Sequence, residues 1–159
     1  MNNSIEAICV FNQNNIKGTI ILKENHIKKN IDIIINLSGL TPGLHGFHIH
    51  QYGDLREGCT SLCGHYNPKN KKHGGPNDKE RHVGDLGNIK ANNKGICKMK
   101  FSDKIIKLRG KYSIIGRSIV IHEDEDDLGK GKHSDSLITG HAGKRIACAI
   151  IGYSKNNNC

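Results

Sequence analysis

The feature that most restricts this chain is a repeat of two. Ile31, Ile33, Ile35 and Leu37 alternate with Asp32, Ile34, Asn36 and Ser38, and Ile16, Gly18, Ile20 and Leu22 alternate with Lys17, Thr19, Ile21 and Lys23. Cys97, Met99 and Phe101 alternate with Lys98, Lys100 and Ser102, and Ile119 and Ile121 with Val120 and His122. A pleated strand sends successive side chains to opposite faces, so each run presents one apolar face to a core. Turn formers separate the runs: Asn12 to Asn15, Thr41-Pro42-Gly43 and Asn92-Asn93-Lys94-Gly95. No long segment has the 3.6-residue period of an amphipathic helix. The pattern predicts about eight strands, near 5–11, 16–23, 31–38, 43–50, 84–90, 95–101, 117–122 and 146–152, and hence an all-β sandwich or barrel. A length of 159 residues suits one domain, expected over 1–153, with a flexible polar tail at 154–159 that ends in an exposed Cys159.

Two connections, Gly53 to Val83 and Glu123 to Arg145, are too long for hairpins and gather many of the His, Asp and Gly residues. His48 and His50 flank Ile49 in a strand-like run, so both imidazoles point to one face and can chelate a single ion. His122 ends Ser118-Ile119-Val120-Ile121-His122, from which a neighbouring strand could supply a third imidazole. Several imidazoles without a thiolate suit copper. The first loop carries His65, His73 and His82, followed by Asp85; three imidazoles and a carboxylate make a tetrahedral zinc set, closed and therefore structural.

Other classes fit poorly. The chain has 24 basic and 15 acidic side chains, a net charge of +9, but the lysines are dispersed. With three Phe, four Tyr and no Trp there is little to stack on bases, so no nucleic-acid partner is expected. No stretch approaches 18 apolar residues, and Met1 to Glu6 lacks the basic and apolar regions of a secretory signal; a soluble cytoplasmic protein without membrane contact is expected. Among six cysteines, Cys9 and Cys97 sit in apolar alternation and read as small core residues. Cys59, Cys63 and Cys148 fit no CxxC pair or dense framework.

The chain resembles the copper/zinc superoxide dismutases from about Ala7 to Gly152. The blocks that carry the resemblance are Gly43-Leu44-His45-Gly46-Phe47-His48-Ile49-His50, Gly58-Cys59-Thr60-Ser61, His65-Tyr66-Asn67-Pro68 and Lys72-His73-Gly74-Gly75-Pro76. They continue with Arg81-His82-Val83-Gly84-Asp85-Leu86-Gly87-Asn88, Gly116-Arg117 to His122, Asp126-Asp127-Leu128-Gly129-Lys130-Gly131 and Gly143-Lys144-Arg145-Ile146-Ala147-Cys148. The resemblance implies an eight-stranded Greek-key β-barrel of immunoglobulin-like sandwich type with two long functional loops. It implies copper on His48, His50, His65 and His122, and zinc on His65, His73, His82 and Asp85, with His65 as the bridge. Asp126 would hydrogen-bond one histidine of each site, and Arg145 would receive the superoxide anion. Cys59 and Cys148 would form the intrachain disulfide. The implied activity is dismutation of superoxide to dioxygen and hydrogen peroxide by alternate reduction and reoxidation of copper. The alternative is an inactive or copper-chaperone-like relative that binds metal, or a copper chaperone, without dismutating.

The resemblance also implies a homodimer, through Ile8, Val10, Tyr52-Gly53, Ile115-Gly116-Arg117 and Ile150-Ile151-Gly152, and a copper chaperone as partner. Three features depart from the family pattern. Cys63 is extra, and reads as an inert thiol, a competing disulfide partner or a point where copper enters. Asp124 and Ile138 stand where many relatives carry lysines. The basic surface is unusual, and steering of the anion is expected to be spread over Lys130, Lys132, His133, His141 and Lys144, so that the rate falls with added salt.

Overall fold

The computed structural model describes residues 4–155. The predicted alternation becomes two antiparallel sheets. The first comprises β1 (Glu6–Gln13), β2 (Ile16–Asn25), β3 (Asn30–Ser38), β6 (Cys97–Asp103) and β9 (Gly152–Tyr153), in the order β6-β3-β2-β1-β9. The second comprises β4 (Gly43–His50), β5 (Asp85–Ala91), β7 (Ser118–His122) and β8 (Arg145–Ile150), in the order β5-β4-β7-β8. The chain crosses between the sheets after β3, β5 and β6, which is the Greek-key connectivity expected. The single strand expected over 146–152 is two. Ile150 pairs with Ser118 of β7, whereas Gly152 pairs with Ile8 of β1, so the chain changes sheets at the buried Ile151.

Burial follows the alternation. Ala7, Cys9 and Phe11 of β1, and Ile31, Ile33, Ile35 and Leu37 of β3, fill the space between the sheets. Each such Ile, Leu or Phe contributes roughly 1.5–3 kcal/mol by leaving water. Burial also pushes the Cys9 thiol well above its ordinary range, as befits a core residue. In β4 every residue from His45 to His50 is buried. Phe47 and Ile49 join the core, while the opposite face, with Gly46, His48 and His50, lies beneath the long loops.

Both loops are tied down. In the first, which holds a 3₁₀ turn at Thr60–Leu62, Tyr66 N–H donates to the Ile49 carbonyl (2.8 Å) and Ile49 N–H to Gly84 (2.9 Å). The Cys59–Cys148 disulfide fastens this loop to β8, and Leu62 packs beside it against Val120. Closing so long a loop is worth about 4–5 kcal/mol in the chain-entropy account. In the second loop, which holds the short helix α1 (Ser136–Thr139), Asp127 N–H donates to Gly140 (2.9 Å). The His73 N–H donates to Leu137 (2.9 Å) and joins the two loops. Gly140 sits at φ 71°, and a Cβ there would run into the Asp126 carboxylate, so only glycine fits. At the chain's end Ser154 N–H donates to the Glu6 carbonyl (2.9 Å); residues 156–159 of the expected tail, with Cys159, lie outside the described residues.

Candidate metal centre

Seven of the ten histidines are buried, and apart from His45 they gather in one cluster: His48, His50, His65, His73, His82 and His122. His48 and His50 come from the outer face of β4 and His122 from the end of the adjacent β7. His65 is set beside His50 by an isolated bridge between the two residues. The strand register shifts at two places here. Between Gly46 and His48 the pairing with β5 slips, bringing Asp85 opposite His48, and β8 slips to bring Arg145 opposite His122. Such bulges re-aim side chains beside a site.

The hydrogen bonds decide which ring nitrogens are free. His50 Nδ1 lies 2.8 Å from the Cys63 carbonyl and His122 Nδ1 lies 3.2 Å from that of Gly143. A carbonyl only accepts, so both Nδ1 atoms carry the hydrogen and both Nε2 atoms keep a lone pair. His48 Nε2 donates to Asp126 Oδ2 (2.7 Å), which frees its Nδ1. His73 Nε2 donates to Asp126 Oδ1 (2.8 Å), which frees its Nδ1 as well. Asp126 thus steadies one ring on either side, and Asn88 clamps its backbone with bonds of 2.8 and 2.9 Å.

Among the described residues, the buried side-chain atoms without a hydrogen-bond partner are Asn30 Oδ1 and five imidazole nitrogens: His48 Nδ1, His50 Nε2, His65 Nε2, His73 Nδ1 and His122 Nε2. Unsatisfied buried polar atoms are rare. Five inward-facing ring nitrogens without a partner are what bound cations would satisfy, so the residues fit metal.

Two sets of four donor atoms lie within 4.8 Å of one another. One belongs to His48, His50, His65 and His122, the other to His48, His65, His73 and Asp85. His82 completes the second set better than His48. Its Nδ1 lies 3.1 Å from Asp85 Oδ1 and 3.4 Å from His65 Nδ1, whereas His48 has turned its Nε2 to Asp126. Asp85 Oδ1 also lies 2.9 Å from His65 Nδ1 and 3.0 Å from His73 Nδ1. Ligands 2.0–2.1 Å from a tetrahedral zinc are about 3.3 Å apart, close to this packing. Asp85 is held ready by the Gly74 and His82 N–H groups, which donate to Oδ2 and leave Oδ1 for the cation. His65 has one ring nitrogen in each set.

The electrostatics agree. Burial lowers His48 and His50 well below the ordinary histidine range, and the neighbouring His65 lowers them further. Burial likewise lowers His122 to about 4, against the pull of the Gly143 carbonyl. These rings are neutral at neutral pH, the form in which an imidazole can bind a metal. Burial opposes a charge on His73 too, but its bond to Asp126 and the Asp85 carboxylate 3.0 Å from its Nδ1 prevail and lift it to about 9. Asp85 is held well below the carboxylate range because its three histidines outweigh its burial.

Arg145 stands at the opening. Its Nη1 donates to the Cys59 carbonyl (2.6 Å) and its Nη2 to that of Cys63 (2.7 Å), so the disulfide-bonded turn aims the guanidinium. Cys63 is free and exposed, and its carbonyl also orients His50. Sequence reasoning gave no role to that carbonyl, nor to Asn88. It also assigned none to Arg81, which is buried, pairs with Asp103 (2.7 Å) and donates to the carbonyls of Pro76, His82 and Val83. An arginine inside a block of metal-binding residues was the available signal.

Comparisons with known proteins agree with this geometry. The family model for copper/zinc superoxide dismutase matches residues 16–151. A Cu-Zn superoxide dismutase of Paramecium bursaria Chlorella virus 1 is 54% identical over 156 residues, covering 98% of this chain and 82% of the relative. Superoxide dismutase [Cu-Zn] 5 of Dictyostelium discoideum is 50% identical over 151 residues, covering 95% and 99%. An extracellular Cu-Zn superoxide dismutase of Drosophila melanogaster is 52% identical over 137 residues, covering 86% and 76%. The crystal structure of the clock protein EA4 superposes with a TM-score of 0.92 at 42% identity, over 97% of this chain and 98% of that one.

Proposed function

The chain belongs to the copper/zinc superoxide dismutase family, and from that premise we propose that His48, His50, His65 and His122 hold the copper and His65, His73, His82 and Asp85 the zinc. Its activity is dismutation of superoxide to dioxygen and hydrogen peroxide. The observation that carries the site assignment is the His65 ring, which belongs to both sets of donors, with Nδ1 beside Asp85 Oδ1 (2.9 Å) and Nε2 buried without a partner. Bound copper supplies one-electron reduction and reoxidation, and bound zinc supplies fixed positive charge beside the shared ring.

The protein's own residues do the rest. Arg145 presents a permanently charged planar fork that binds and orients the diatomic anion. Two backbone carbonyls hold that fork at 2.6 and 2.7 Å, so little ordering remains to be done when the substrate arrives. His65 gains a proton at Nε2 in one half of the cycle and delivers it to the departing peroxide in the other. Asp126, bonded to His48 and His73, keeps both rings in the tautomer that leaves their Nδ1 free.

Residues 1–153 constitute the catalytic domain, followed by the polar tail 154–159. A two-fold homodimer is supported by exposed Val10, Tyr52 and Ile150 and half-buried Ile8 and Ile115. Gly53 joins this patch, because a Cβ on it would meet Gly116 and Ile150. A cytoplasmic site and delivery of copper by a chaperone complete the reading; the Cys59–Cys148 disulfide would be an exception among cytosolic proteins. No helix among the described residues is long and apolar enough to cross a membrane.

The test is metal analysis, electron paramagnetic resonance and superoxide consumption on the loaded protein. One copper and one zinc per chain are expected, with dismutation abolished in His48→Ala. In His65→Ala, zinc should no longer alter the copper spectrum. A copper spectrum that responds to zinc equally in wild type and His65→Ala would refute the shared ring.

A further inference from the structure

The opening above His50, His65 and His122 is a cavity of about 330 Å³, and its charged rim consists of Arg145, Asp124, Asp135 and His141. Two carboxylates against one guanidinium make a poor mouth for an anionic substrate. His141 alters that balance. Its Nδ1 lies 2.8 Å from Asp135 Oδ1, and its ring stacks on His133 with centroids 3.6 Å apart and planes 7° from parallel. Thr139 Oγ1 donates to the other oxygen of Asp135 (3.1 Å).

We infer that His141 steers superoxide: protonated, it cancels Asp135 at the mouth, and deprotonated, it leaves that carboxylate facing the incoming anion. The inference rests on the dismutase reading and adds regulation by pH to it. Histidine is the side chain that changes charge between pH 5 and 8. Two imidazolium rings stacked face to face repel, so the stack disfavours a charge on both rings at once. Asp135 contacts His141 and not His133, so an imidazolium on that side of the stack meets a counter-charge. The hydrogen bond from His141 in turn holds the Asp135 carboxyl below its ordinary range.

The other charged groups at the mouth are the carboxylate of Asp124, the guanidinium of Arg145 and the neighbouring ammonium of Lys144. Burial keeps His50 and His122 neutral at the cavity floor. The stacked pair is thus the variable element of the rim. Both rings are exposed, so the effect acts on the approach of substrate and is open to screening by salt.

The test compares the copper- and zinc-loaded wild type with His141→Asn and His141→Lys, with kcat/KM for superoxide measured by pulse radiolysis between about pH 6 and about pH 8.5. In about 20 mM salt the wild-type rate constant should rise about two- to threefold on acidification, and the rise should shrink in about 200 mM salt. His141→Asn should be flat at the wild type's alkaline level, and His141→Lys flat at or above its acidic level. A His141→Asn profile that follows the wild type, or a His141→Lys enzyme no faster than His141→Asn at alkaline pH, overturns the inference and leaves the dismutase reading intact. Absence of activity in all three loaded proteins overturns both. Independently, proton resonance titration of the zinc-loaded protein should show the His141 midpoint falling in Asp135→Asn, and an unmoved midpoint refutes the pairing.

Discussion

At the scale of single residues, Cys63 stands apart. Its backbone lies at φ 63°, ψ −153°, a region that is essentially glycine's. Occupying it costs a residue with a Cβ of order 1–3 kcal/mol, and the looser unfolded chain of a glycine variant offsets part of that. Cys63→Gly is therefore expected to raise stability by about 1 kcal/mol, measured by urea denaturation of the loaded protein. Activity should be retained, because His50 and Arg145 use only the carbonyl. An unchanged or lowered midpoint would show that the thiol compensates for the strain. Sequence pattern exposes side chains far better than backbone acceptors. The pairing of His48 with His50 was legible from a spacing of two, whereas the carbonyl that orients both His50 and Arg145 has no signature, since any residue carries one.

At the scale of elements, the loops are positioned by polar groups that the sequence does not advertise. Arg81 joins three carbonyls of its own loop to Asp103 at the end of β6, and both charged side chains are buried. Asp103 also accepts from the N–H groups of Ile105 and Ile106 (2.7 and 2.8 Å). Removing one partner of a buried pair strands the other charge, so Arg81→Ala should cost about 3–5 kcal/mol. It should also weaken zinc binding, because His82 is the next residue. Calorimetric unfolding and competition with a zinc chelator test both, and unaltered zinc affinity would separate the pair from the site. The strands themselves were legible because one apolar face imposes a period of two. The change of sheet at Ile151 was not. Ile146 to Ile151 is one apolar run without a turn former, and only the partners, Ser118 for Ile150 and Ile8 for Gly152, reveal the switch.

At the scale of the whole molecule, the buried histidines make the metal-free fold sensitive to both acid and base. His122 has its titration lowered to about 4, so between that value and about 6.5 the unfolded chain takes up a proton that the folded chain refuses. Stability then falls as the pH drops through this window. His73 is raised to about 9, so its contribution is complete below about 6.5 and disappears as the pH climbs to about 9. Each limb is worth on the order of 3 kcal/mol, and metal-free protein should be most stable near pH 6.5. Zinc should erase the alkaline limb by replacing the His73 proton. Denaturation midpoints across pH, with and without zinc, test this; a flat metal-free profile would contradict it.

The Asp126 carboxylate has a consequence of its own. Each oxygen orders one imidazole, His48 of the proposed copper set and His73 of the proposed zinc set. Whichever ion arrives first stills the lever that the second would otherwise have to settle, so the two occupancies are thermodynamically linked. Linkage is reciprocal: zinc must tighten copper by the same factor that copper tightens zinc.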